Sequence, residues 1–193
     1  MAKNEFITIV SGLPRSGTSL MMQMLHAGGL PVLTDGLRMA DDSNQRGYFE
    51  YEPVKRLRTD RAWLPQANGH AVKIIHLLLA NLLTDGSLRY RIVFMQRPIH
   101  EVLDSQRVML AREGKTAADA AVLSKVFEGQ LAQVATWVAA QPSIEVLTMP
   151  YHRVVREPRA VAAEVKEFLG LDLDEQAMAA AVDPLLHRQR LPT

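Results

Sequence analysis

The sequence predicts a three-layer α/β fold, a central parallel sheet of about four to five strands with helices on both faces. Apolar runs of strand length recur along the chain: FITIVS (6–11), AVKII (71–75), RIVFM (91–95) and IEVLTM (144–149). They are rich in β-branched residues and nearly continuous, as strands buried on both faces are. Helical patterns lie between them, and such alternation implies βαβ units with right-handed crossovers. The length of 193 residues, 48% apolar and 22% charged, fits one globular domain that buries a core without disulfides.

Each element has its own local signal. After Ser16 the segment SLMMQMLHAGG is helical and stops at Gly28–Gly29. The stretch 31–70 is polar, rich in Asp, Asn, Gly and Arg, and carries no long element. A stretch of that kind in a compact domain is a binding loop or lid. Pro98 opens a helix at its first position, with Ile99, Val102, Leu103 and Leu110 continuing it. From 117 to 140, Leu123, Phe127, Leu131, Val134 and Val138 form one core-facing stripe, ended by Pro142. Pro158 opens a further helix with Val161, Val165, Phe168 and Leu169 inward and Gly170 as its cap. No internal repeat or low-complexity linker divides the chain, so residues 1–193 read as a single domain.

Composition excludes several classes of function. The net charge of +1 offers no electrostatic argument for nucleic acid or a membrane surface. With no cysteine there is no disulfide, no thiolate zinc site and no Cys nucleophile. The six histidines show no metal-binding spacing, so no metal site is expected. The apolar run from Phe6 is too short for a signal-peptide core, and IIHLLLANLL is broken by His76 and Asn81. The expectation is a cytoplasmic protein without a membrane span.

The sharpest feature follows the first strand: Gly12-Leu-Pro-Arg-Ser-Gly17-Thr18-Ser19. Between a strand and a helix, glycines permit a tight turn that aims N–H groups inward. The helix N-terminus and the hydroxyls complete an anion shell. The architecture is of P-loop type, but Thr18 stands where an ATP or GTP enzyme places Lys, and Arg15 is the cation inside the loop. The strand ends Ile75-His76, Gln96-Arg97 and Pro150-Tyr151 supply no carboxylate for Mg²⁺. An anionic nucleotide handled without Mg²⁺ fits both departures. The plain structural alternative is a strand-to-helix turn with Ser16 as N-cap.

A second anion site is readable in RIVFMQRPIHEVLDSQ. Arg97 ends a strand, and Ser105, eight residues on, faces much the same way as the start of the helix. A guanidinium fork and a hydroxyl converging there suit a phosphate. With Pro14-Arg15-Ser16-Gly17-Thr18-Ser19 and Arg97-Pro98…Ser105 together, the chain resembles the PAPS-dependent sulfotransferases, more narrowly the compact bacterial ones. Their donor is 3′-phosphoadenosine 5′-phosphosulfate. Tyr151 with Arg156-Glu157-Pro158 and Phe168-Leu169-Gly170 extends the resemblance over most of the chain.

The resemblance implies that Pro14 to Ser19 grip the 5′-phosphosulfate and that Arg97 and Ser105 grip the 3′-phosphate, with PAP as product. Arg15 then neutralises the leaving phosphate, and Lys73 serves the sulfuryl group. Arg188 and Arg190 are further candidates for the 3′-phosphate, and a frayed basic tail is the alternative. For the general base, Asp35 and Glu50 lead, with Asp41, Asp42 and His76 also open. The cytosolic branch has a His two residues after the Lys, where this chain has Ile75. The expected acceptor is a hydroxyl or amine of a small molecule, bound with 31–70 as acceptor-site or lid region and completed by a second subunit. A P-loop kinase, or a PAP-binding protein without turnover, are the competing readings.

Overall fold

The computed structural model describes residues 6–36 and 47–183. A parallel four-stranded sheet forms its centre, with β1 (Ile7–Gly12), β2 (Ala71–Lys73), β3 (Tyr90–Gln96) and β4 (Ile144–Pro150) in the order β2-β1-β3-β4. β1 is buried along its whole length, as a central strand between two layers must be. Its alternate side chains enter separate cores: Ile7 and Ile9 join Val72, Ile92 and Tyr90 on one face, while Val10 joins Val93 and Met95 on the other. The register sets Ile9 beside both Val72 and Ile92.

Helices cover both faces. α1 (Thr18–Ala27), α5 (Pro158–Leu169) and α6 (Glu175–Ala180) pack Met21, Met22, Leu25, Val161, Val165 and Met178 onto the Val10 face. The Ile9 face is closed by three short 3-10 helices (Glu52–Arg56, Leu64–Ala67, His76–Asn81) and by part of α3 (Ala120–Ala139). α2 (Ile99–Arg112) follows β3, and α4 (Tyr151–Arg156) follows β4. Among the described residues no helix is long and apolar enough to cross a membrane.

Several local expectations are refined. The helix over 117–140 forms, capped by the Asp119 carboxylate accepting from the Val122 N–H at 3.0 Å, but its stripe is only half-buried. Val134, Trp137 and Val138 pack on the core, while Val122 is 60% exposed, so only the C-terminal part meets the sheet layer. Ser16 is not the N-cap of α1. Gly17 takes that position at φ 99°, and no side chain caps the helix. Pro98 lies one residue earlier than expected, as the N-cap of α2, with its carbonyl accepting from Val102 N–H at 3.1 Å. Gly170 does cap α5, in the left-handed region at φ 60°.

The end of β1 runs against β3 without spare room. A Cβ on Gly12 would lie 2.6 Å from the Met95 carbonyl and 2.6 Å from Ser16 Oγ. The Met95 oxygen belongs to the neighbouring strand and cannot swing aside. Gly12→Ala is therefore expected to destabilise the fold by roughly 2–3 kcal/mol, as overpacking against fixed neighbours does. Chemical denaturation of both proteins measures it.

Candidate anion-binding site

The strand order reverses at β1: β2 lies to one side, and the chain crosses to β3 on the other. In open α/β sheets ligands bind outside the carboxyl ends of the strands at such a switch point. The loop after β1 and Arg97 at the end of β3 both stand there. The loop is tightly held. The Ser16 N–H donates to the Leu13 carbonyl at 3.2 Å, and Arg15 is left-handed at φ 69°. Gly17 lies so near Tyr151 that a Cβ would come within 2.5 Å of the ring. Ser16 is fully buried, and its hydroxyl has no hydrogen-bond partner. The first turn of α1 contains no acidic residue, so its positive dipole end is uncompensated from within the helix.

Arg97 and Glu101 form a buried ion pair, with side chains 7% and 5% exposed. Arg97 Nε donates to Glu101 Oε2 at 2.9 Å, and Nη1 donates to the Arg15 carbonyl at 3.2 Å. The guanidinium carbon lies 4.6 Å from the centre of the Tyr151 ring, within cation–π range. The second oxygen of Glu101 accepts from His152 Nε2 at 2.8 Å. Burial opposes charge on Glu101, but the hydrogen bonds from Arg97 and His152 hold its carboxyl below the usual value. Burial raises the Tyr151 phenol against the opposing pull of Arg97, so it stays neutral. Arg15 Nε donates to Ser105 Oγ at 3.0 Å, which joins two residues expected in separate subsites. Beside this network a cleft of about 450 Å³ opens, lined by Leu13, Ser16, Phe94, Arg97, Leu131 and His152 among others.

On the β2 side the residues 47–50 cross the mouth of the loop. The Tyr48 carbonyl accepts from Lys73 Nζ and, at 3.4 Å, from Ser19 Oγ. Glu50 Oε1 lies 4.0 Å from Lys73 Nζ. Glu50 and Lys73, two separate candidates from the sequence, thus meet beside the first turn of α1. Asp35 has a different employment: its carboxylate accepts the Glu52 N–H, and its own N–H donates to the Glu50 carbonyl at 3.2 Å. His76 is 1% exposed, with Nε2 on Gln130 Oε1 at 2.9 Å. It packs under α3 through this contact. Tyr48 and Trp63 are buried core residues. Asp41, Asp42, Arg188 and Arg190 lie outside the described residues.

No protein-family model matches the sequence, and no curated protein does. Solved structures do. The sulfotransferase domain of the Synechococcus PCC 7002 olefin synthase aligns with TM-score 0.57 at 18% identity, over 100% of this chain and 91% of that one. The sulfotransferase domain from the curacin biosynthetic pathway gives 0.55 at 14%, over 100% and 94%. A mouse sulfotransferase complexed with PAP gives 0.52 at 16%, over 94% of this chain and 63% of that one. The fold is that of the sulfotransferases.

Within this fold, the network contains two residues that the sequence alone did not single out, Glu101 and His152. The Arg97–Glu101 spacing of four residues was a usable signal, because such a pair adjoins at a helix start. His152 carried no signal, since it meets Glu101 only through the pairing of β3 with β4.

The depressed carboxyl of Glu101 makes stability depend on pH. Its contribution is complete above the ordinary glutamate value of 4.5 and is lost as pH falls through its lower folded value. Glu101→Gln is expected to cost roughly 1–3 kcal/mol at neutral pH, because Arg97 loses its charged acceptor. The gap between the two proteins should narrow steadily below pH 4.5 in denaturation curves.

Proposed function

We propose that this chain is a PAPS-dependent sulfotransferase, moving a sulfuryl group to an acceptor hydroxyl. The observation that carries the reading is Arg97, held at the switch point beside a phosphate loop that has Thr18 in place of the nucleotide-hydrolase lysine. The residues fit the donor. Ser16 offers a buried hydroxyl without a partner, Gly12 and Gly17 let the loop pass close to Met95 and Tyr151, and the Arg97 guanidinium beside the loop suits a phosphate.

In this reading Pro14 to Ser19 hold the 5′-phosphosulfate, and Arg97 and Ser105 hold the 3′-phosphate. When bound, the donor supplies an activated sulfuryl group whose leaving phosphate gathers negative charge. Arg15, Lys73 and the N-terminus of α1 are the positive groups placed to offset that charge. Glu50 is the residue we assign as general base. It stands beside Lys73, whereas the Asp35 carboxylate is engaged by the Glu52 N–H. The acceptor is a small hydroxyl compound approaching from the β2 side, where Lys73 and Glu50 meet.

Thermal shifts with PAP, AMP and ATP–Mg²⁺ test the donor. A ligand at a hundred times its Kd adds about 2.7 kcal/mol of stability. PAP is expected to stabilise most, and a larger shift with ATP–Mg²⁺ would favour a kinase instead. Arg97→Ala should weaken PAP by roughly 1.5–3 kcal/mol, as loss of a charged hydrogen bond does, and AMP far less. For the base, Glu50→Gln should retain PAP binding and lose transfer from PAPS to small phenols and alcohols. Asp35→Asn should retain both. Wild-type transfer by Glu50→Gln would remove Glu50 from the mechanism.

A further inference from the structure

Resting on the donor reading above, we propose that Glu101 is a positioning residue. It orients Arg97 so that the second anion site and the phosphate loop form one rigid receptor selective for nucleotides with a 3′-phosphate.

Three observations carry this. First, the pair is costly where it stands. Both side chains are almost wholly withdrawn from water, and a buried ion pair is often no more stabilising than apolar residues of the same volume. Its presence at a strand end points to a use other than stability. Second, the geometry fixes a plane. The Nε–H edge of Arg97 is held by Glu101, the Nη1 corner by the Arg15 carbonyl, and one face by Tyr151. A guanidinium is a rigid planar fork, so three such contacts determine where its remaining donors lie. Third, the other end of the network is the loop. The carbonyl that Arg97 engages belongs to Arg15, the left-handed residue, and the Arg15 side chain reaches back to Ser105. Two links thus join the β1 loop to the β3–α2 segment, and Glu101 anchors one of them. His152 anchors Glu101 in turn through its other oxygen.

Positioning and bulk electrostatics predict opposite outcomes. Removing the Glu101 charge makes the site more positive. If field alone mattered, Glu101→Gln would bind PAP and AMP more tightly. If Glu101 orients Arg97, the same change should weaken PAP about tenfold or more and leave AMP within about threefold, since a charged hydrogen bond that sets the geometry is lost. The readout is the ratio of PAP to AMP affinity by calorimetry on the full chain. In the Arg97→Ala background, Glu101→Gln should change PAP affinity less than about twofold, because its route to the ligand is gone. Arg97→Lys, which keeps the charge and loses the fork, should lose the PAP preference as fully as Arg97→Ala. This variant decides the matter if Glu101→Gln does not fold.

Equal weakening of both nucleotides by Glu101→Gln would overturn the proposal. So would tighter binding of both, additivity with Arg97→Ala, or a PAP preference retained by Arg97→Lys. A wild-type protein that binds PAP and AMP alike overturns the donor reading and this inference together. A wild-type preference that survives Glu101→Gln overturns this inference alone.

Discussion

Taking a guanidinium out of water at the end of a central strand costs several kcal/mol unless its charge and donors are met. At Arg97 they are met by the Glu101 carboxylate, the Tyr151 ring face and the Arg15 carbonyl. Much of the local sequence follows from that arrangement. Tyr151 can lie under the guanidinium only if the loop passes close by, so Gly17 has no room for a side chain. The Arg15 carbonyl can face Arg97 in a backbone turned to positive φ, a conformation disfavoured for a residue with a Cβ and maintained by the contacts around it. Gly12 is then required because β1 ends directly against the Met95 carbonyl.

The sheet order explains why these groups assemble here. With β1 between β2 and β3, the loop after β1 has two different neighbours. On the β3 and β4 side stand Arg97, Ser105, Tyr151 and His152, with the cleft beside them. On the β2 side stand Lys73, Glu50 and the Tyr48 carbonyl. The two sides differ in chemistry: one offers buried, orienting contacts to a cation, the other a lysine and a carboxylate 4.0 Å apart. The proposed transfer would use such a division, with one partner gripped and the other presented beside a group able to take a proton.

What the sequence reveals divides along physical lines. The four strands and the helices α1, α2, α3 and α5 were legible because apolar period and turn residues are local properties, whereas the short α4 was not. The loop and Arg97 were legible because their residue types are bound by short-range geometry. The convergence of Arg15 with Ser105 was not, since ninety residues separate them and only the β1–β3 pairing brings them together. Nor could spacing choose among the carboxylates of 31–70. Asp35 and Glu50 look alike in sequence, and they separate only when one is found holding a backbone N–H and the other beside Lys73. The half-buried stripe of α3 shows the converse: periodicity marks a face but not how much of it a neighbour covers.

The near-neutral charge of the chain is reproduced at the scale of the site. Arg97 is matched by Glu101, and Lys73 stands beside Glu50. The proposed site, with Arg97 and Lys73 paired in this way, projects little of their field beyond about 10 Å, the screening length in ordinary salt. It therefore gains little from long-range steering of an anionic ligand, in contrast to sites with unbalanced positive potential. Its discrimination has to come at contact, from fork geometry and from the unpartnered Ser16 hydroxyl inside the loop. A ligand that fits makes charge-assisted bonds in a dry setting, where they are strong. A ligand of equal charge and different shape meets Arg97 and Lys73 already beside their carboxylates.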